Sequence, residues 1–214
     1  MNGLIDSKIF NMLLLITIIG EFLLPWILKH FYKGYDSKKM VMSVLGSPQS
    51  PVRKIYSGWL VWLGIFLVIA AFAIYYDARL ISPSLAVATF VSIVLFAIGA
   101  GVLAGAFSVN ESKDVVTLSS KIHGAGSAIG FMALMLFPLF TAIIAFKAHD
   151  LVMGFVCAAA FVAAMVFFVF FIMGDKKEFQ NTMFSYEGLW ERLSLFFMYI
   201  PFLYIAVKNL FIGC

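Results

Sequence analysis

The chain has 214 residues, 63% of them hydrophobic and 12% charged, where a soluble domain carries roughly 25% charged residues. This excludes an ordinary water-soluble globular domain, and the length leaves no room for a folded soluble domain beside a membrane bundle. The net charge of +4 does not read as nucleic-acid binding, because the cations sit in connections beside apolar runs, where they set orientation and attract anionic lipid.

Most of the chain falls into six apolar runs. Each approaches the roughly 20 residues that a helix needs to cross a bilayer. Backbone amides cannot stay unpaired in hydrocarbon, so each run is predicted to be helix. The expected fold class is all-α: a polytopic membrane protein with six transmembrane helices in a single bundle, and one domain over residues 1–214. The runs lie at about 9–28, 58–76, 85–107, 122–146, 151–173 and 193–212.

Span one holds the only carboxylate well inside a run, Glu21. An unpaired ionisable group at the centre of a span costs at least about 2.5–3.5 kcal/mol, so it needs a reason. Thr17 lies one turn earlier on the same face. Pro25 lies four residues later, removes the hydrogen bond to the Glu21 carbonyl and predicts a kink. A carboxyl and a freed carbonyl at one place suit a proton, a cation, a hydroxyl or a positively charged partner. The plainer alternative is a glutamic acid bonded to a neighbouring helix. No basic leading segment or small-residue cleavage site marks this run as a signal peptide.

The connection after span one is the longest. Its tip, Ser43-Val44-Leu45-Gly46-Ser47-Pro48-Gln49-Ser50-Pro51, is rich in turn formers. Cations flank it, and Arg53 and Lys54 are candidate anion or lipid-headgroup ligands. A flexible loop with membrane-anchoring charges is the alternative. Tyr56 follows at the start of span two. Span three has Ala97, Gly101 and Gly105 at four-residue spacing, and span four has Gly126 and Gly130. Small residues so spaced let helix backbones approach closely. They predict a tight hairpin of spans three and four, or a homo-oligomer through small-residue faces.

His123 opens span four with Ser127 one turn deeper. The pair reads as a base or ligand beside a hydroxyl, or as an interfacial histidine capping a helix. No elbow or oxyanion motif supports a catalytic serine. Span five carries no charge, and its Phe167–Phe171 end is expected to face lipid. Before span six, Tyr186-Glu187-Gly188-Leu189-Trp190-Glu191-Arg192 crowds acidic, aromatic and guanidinium groups at the interface. Arg192 is expected to pair with Glu21, Glu187 or a lipid phosphate. Pro138 and Pro201 predict bends in spans four and six.

Eleven of the fifteen Lys and Arg residues flank the three longer connections, and four lie on the other face. The excess places those connections in the cytoplasm and both termini outside, in a cell inner membrane or plasma membrane. Glu21, Arg53, Tyr56, His123, Ser127, Glu187 and Arg192 then share one depth, and the expectation is a single cytoplasm-facing polar pocket. No cofactor is expected. His30, His123 and His149 lie near helix ends, whereas membrane cytochromes pair histidines within helices. No mid-span lysine offers a Schiff base. Cys157 and Cys214 have no metal-ligand spacing, a disulfide between them is not expected, and no metal site is read.

Several of these residues carry a family resemblance. Gly34-Tyr35, Met42-Ser43-Val44-Leu45-Gly46 with Pro51, Gly64 in span two, Gly101, Gly105-Ala106-Phe107 and His123-Gly124 occur in order over about residues 20–135. This pattern resembles the prokaryotic family called domain of unknown function 998, as does the Glu187–Arg192 segment. The resemblance implies a six-helix membrane protein and no assigned activity. The function expected from the residues is binding or modifying a membrane lipid or small amphiphile in the pocket. A small proton-coupled transporter using Glu21 and a non-catalytic scaffold or partner subunit are the alternatives.

Overall fold

A computed structural model describes residues 3–110 and 116–212. Six helices in it are long and apolar enough to cross a membrane. They are α1 (Lys8–Leu28), α2 (Arg53–Ala78), α3 (Pro83–Phe96), α4 (Leu118–Lys147), α5 (Leu151–Gly174) and α6 (Glu187–Val207). The first runs on as a 3-10 turn to Phe31, α3 as a π-helical stretch over Ala97–Leu103 and a last turn to Ala106, and α6 as a π-helical end over Lys208–Ile212. The chain is a multi-pass all-α membrane protein, and the span positions read from hydropathy hold. The helices α2, α4 and α6 begin four to six residues before the apolar runs do. Their first turns are polar, so hydropathy alone assigns them to loops. The helix continues through Pro138 and Pro201.

Local chemistry explains the helix starts. The Ser7 hydroxyl accepts from the Phe10 amide, Thr117 and Ser120 cap each other at α4, and Pro83 sits at the start of α3, where a missing N–H costs nothing. Asp150 accepts from the Met153 amide at 3.0 Å to cap α5. The buried face of α1 is Phe10, Leu14, Thr17, Ile18, Glu21, Pro25 and Leu28, one stripe at helical spacing.

Neighbours in sequence are neighbours in space, and α6 closes the ring by packing against both α5 and α1. Backbones come closest around α3. A methyl group on Gly64 of α2 would stand 2.4 Å from the Ala97 carbonyl, and one on Gly99 would stand 2.2 Å from the Gly126 carbonyl. The expected hairpin of spans three and four is therefore half of the arrangement. Gly99 meets Gly126 of α4, and Gly130 of α4 meets Phe96 and Ala100, while Gly101 and Gly105 face Gly64 and Ser57 of α2. All these small residues are used within the chain.

The first connection departs most from expectation. It is folded and not a flexible loop. Residues Met42–Gly46 form a 3-10 turn, and Met42, Val44, Leu45 and Ser47 are buried. The end of α5 is a second correction. Phe167 stacks on Trp190 and Phe197, and Phe168 and Phe171 stack on Phe131 of α4. All are partly buried, because α6 and α4 cover the face that hydropathy assigns to lipid. Cys157 is buried with a free thiol, and Lys113 and Cys214 lie outside the described residues.

Replacing Gly64 by Ala is expected to force α2 and α3 apart and to lower stability by about 1–3 kcal/mol, the usual cost of overpacking. Gly58→Ala is the control, since nothing lies within 4 Å of its position. Thermal unfolding of the two variants in detergent separates them. At the opposite end, Lys208 Nζ lies 2.5 Å from Asp150 Oδ2 and holds that carboxyl below the usual range. The depressed value means the stabilisation is present above about pH 4 and is lost as pH falls through the folded value. Asp150→Asn keeps the cap and is expected to lose up to about 1 kcal/mol. Asp150→Ala loses both contacts and is expected to lose about 0.5–2 kcal/mol more. A pH series of unfolding midpoints reads both.

Candidate functional site

A cavity of about 490 Å³ lies at the bundle end that carries the longer connections, and all six helices contribute to it. Glu21 of α1, Tyr56 of α2, His123 and Ser127 of α4 and Glu187 of α6 line it. The polar residues that share a depth in the sequence are thus brought to one wall system. Val41, Met42 and Ser43 of the first connection also line it, so the segment that leads into the turn-rich tip is part of the cavity wall.

Glu21 is 3% exposed. Its carboxylate accepts from Trp59 Nε1 at 2.7 Å, and that is its hydrogen bond among the described residues. The indole comes from α2, which reaches α1 here because Gly20 leaves room: a methyl group on it would stand 2.4 Å from the Trp59 ring. Glu191 of α6 also lines the cavity and is 6% exposed. It accepts from the Met42 amide at 2.7 Å. Sequence reading passed over it as one of two acids in an interfacial cluster. The signal that singles it out is helical spacing: Glu187, Glu191 and Leu195 share one face of α6.

His123 is 5% exposed and lies inside α4, not at its cap. Its Nδ1 stands 2.8 Å from the Phe107 carbonyl, so Nδ1 donates in this contact. The bond ties the end of α3 to the start of α4. Tyr56 is 2% exposed, and its hydroxyl has no hydrogen-bond partner among the described residues. Ser127 is part of the wall with no nucleophile geometry around it: His123 is engaged with the Phe107 carbonyl and not with the serine hydroxyl.

Three expected residues stand elsewhere. Arg53 and Lys54 are exposed at the start of α2 and do not line the cavity. Arg192 does not meet Glu21 or Glu187. Its Nη1 donates to the carbonyls of Gly188 at 2.6 Å, Ser37 at 2.7 Å and Met40 at 3.3 Å. Its Nη2 donates to the Tyr35 hydroxyl at 2.6 Å. That hydroxyl in turn donates to the Val41 carbonyl at 3.2 Å. Burial pushes the Tyr35 phenol up to about 12 against the pull of the Arg192 guanidinium, so it remains a donor at physiological pH. The Leu189 amide adds a bond to the Lys38 carbonyl at 2.9 Å, and Gly188 lies so close to the Met40 carbonyl that a methyl group has no room. Arg192 is a structural clasp on the first connection. The guanidinium reaches these carbonyls because the chain returns to the start of α6, which sequence spacing does not reveal.

Among the described residues the cavity wall carries the side chains of Glu21, Asp175, Glu187 and Glu191 and no Lys or Arg. On the side of α3, α4 and α5, Phe96, Phe131, Phe168 and Phe171 form the wall. Ala128 and Met132 of α4 and Ile172 of α5 line the cavity and are also exposed on the outer surface, which carries the cavity to the flank of the bundle between those helices. His30 is exposed and sits edge-on to Trp26. Among the described residues, no cluster of His, Cys, Asp and Glu fits a metal ion.

No curated protein and no solved structure matches the chain. A family model described as "Protein of unknown function (DUF998)" matches residues 17–208. That stretch runs from the middle of α1 to the end of α6 and includes every residue of the cavity, so the chain belongs to the DUF998 family.

Proposed function

We propose that the protein binds a membrane lipid or small amphiphile in this cavity, with the cavity end of the bundle facing the cytoplasm. The observation that carries the reading is one cavity lined by two kinds of group. Buried carboxyl and phenol groups come from α1, α2 and α6, and an aromatic wall comes from α3, α4 and α5. Small-molecule sites are commonly of about 300–1,000 Å³, mostly apolar, with a few convergent polar groups. An amphiphile satisfies both kinds of group at once. The excess of Lys and Arg on the longer connections supports the cytoplasmic orientation. The reading is of binding: His123 Nδ1 is on the Phe107 carbonyl and not on the Ser127 hydroxyl.

The test fills the cavity from its exposed rim. Ala128→Trp adds bulk where the side chain already reaches the surface, so the fold is expected to survive. Protein purified gently from native membranes is expected to carry one co-extracted amphiphile, measured by lipid mass spectrometry. The Trp variant is expected to lose at least ten-fold of it while keeping its melting temperature. Equal lipid content in both proteins sinks the reading.

One observation favours the carrier alternative. Among the described residues, Asn11 Oδ1 and Thr17 Oγ1 along the buried stripe of α1 have no hydrogen-bond partner, and the same holds for the Tyr199 hydroxyl on α6. These atoms extend the polar surface from Glu21 toward the other end of the bundle. A carrier predicts pH-driven proton flux in proteoliposomes that Glu21→Gln reduces at least ten-fold. Flux at the level of empty liposomes eliminates this alternative.

A further inference from the structure

Two carboxyl groups face the cavity from neighbouring helices of the ring, Glu21 from α1 and Glu191 from α6. Each is more than nine-tenths buried, and each receives one neutral N–H donor, from Trp59 and from the Met42 amide. Neither has an ion-pair partner among the described residues. A buried carboxylate is costly unless a counter-charge and further donors accompany it. The Arg192 guanidinium is near enough for its charge to act on both carboxyl groups, but its N–H groups are taken up by three carbonyls and the Tyr35 hydroxyl, so it gives neither carboxyl a hydrogen bond. The remaining acceptor capacity of both carboxyl groups, and the unpartnered Tyr56 hydroxyl, are open to whatever fills the space.

We infer that the headgroup held here is cationic: the site takes an amphiphile bearing a protonated amine, with the ammonium between Glu21 and Glu191 and the chain along Phe131, Phe168 and Phe171. This rests on the amphiphile-binding reading and narrows it. An ammonium has three donors and no acceptor. It matches a wall that offers carboxylate and phenol oxygens, and the Tyr56 ring adds an aromatic face for a cation. A phosphate head placed at the same point meets like charge, and the exposed Arg53 and Lys54 are not there to offset it. A hydroxyl head satisfies one acceptor and brings no counter-charge.

The experiment uses the full chain in nanodiscs of phosphatidylcholine. Saturable binding of radiolabelled dodecylamine is measured over empty nanodiscs and competed with unlabelled dodecylamine, dodecanol or monododecyl phosphate. Dodecylamine is expected to compete at least ten-fold more effectively than either of the others. Glu191→Gln, which keeps an oxygen for the Met42 amide, and Glu21→Gln, which keeps one for Trp59, are each expected to remove that preference without lowering the melting temperature. Equal competition by dodecanol, a preference for the phosphate, or an amine preference that survives both substitutions overturns the inference. In each of those cases the amphiphile-binding reading stands, because the site still saturates. If none of the three compounds binds saturably, both the inference and the reading beneath it are overturned. The wild-type order of competition decides the headgroup even if a variant misfolds.

Discussion

The Arg192 clasp is the contact on which the cavity depends. A guanidinium has five donors in one plane, and this one holds three backbone carbonyls and a phenol drawn from two distant parts of the chain. It bonds the connection between α1 and α2 to the first turn of α6. The Leu189 amide on the Lys38 carbonyl and the Met42 amide on Glu191 tie the same two segments. A lysine in place of Arg192 carries the charge but not the planar fork. The N–H groups of Arg192 are thus engaged by the first connection, while its charge acts on Glu21 and Glu191.

A second constraint shapes the far wall. Helices in lipid gain little from burying apolar side chains against one another, so close backbone approach supplies the packing. Glycines on both sides of α3 bring α2 and α4 against it, and the chain widens there into a π-helical stretch. Such bulges recur at functional sites. This one turns Ala100 and Ala104 toward the cavity, where small side chains leave space that larger ones would fill. On the next side of the ring, α4 and α5 meet through stacked aromatic rings, Phe131 on Phe168 and Phe171.

Some of this was legible in the residues. The six spans follow from apolar run length, because the bilayer's thickness sets a length that few other structures need. Glu21 stood out because a carboxyl in an apolar run is expensive. The common depth of Tyr56, His123, Ser127 and Glu187 was readable from where the runs begin. Glu191 was not separated from Glu187, and the polar first turns of α2, α4 and α6 read as loop. In both cases hydropathy reports average polarity and not which face a side chain takes.

What the sequence determined alone is therefore the solvent, the number of helices and the depth of each polar group, all consequences of a fixed hydrocarbon thickness and of backbone amides that must pair locally. Which of those groups meet was left to tertiary structure. Arg192 and Arg53 have the same depth as Glu21, yet one closes a clasp and the other stands at the surface. The turn-rich tip looks like a free loop, yet Val44, Leu45, Gly46 and Ser47 in it are buried. These outcomes depend on rotation about helix axes and on chain segments about 150 residues apart coming together, and no local pattern encodes either.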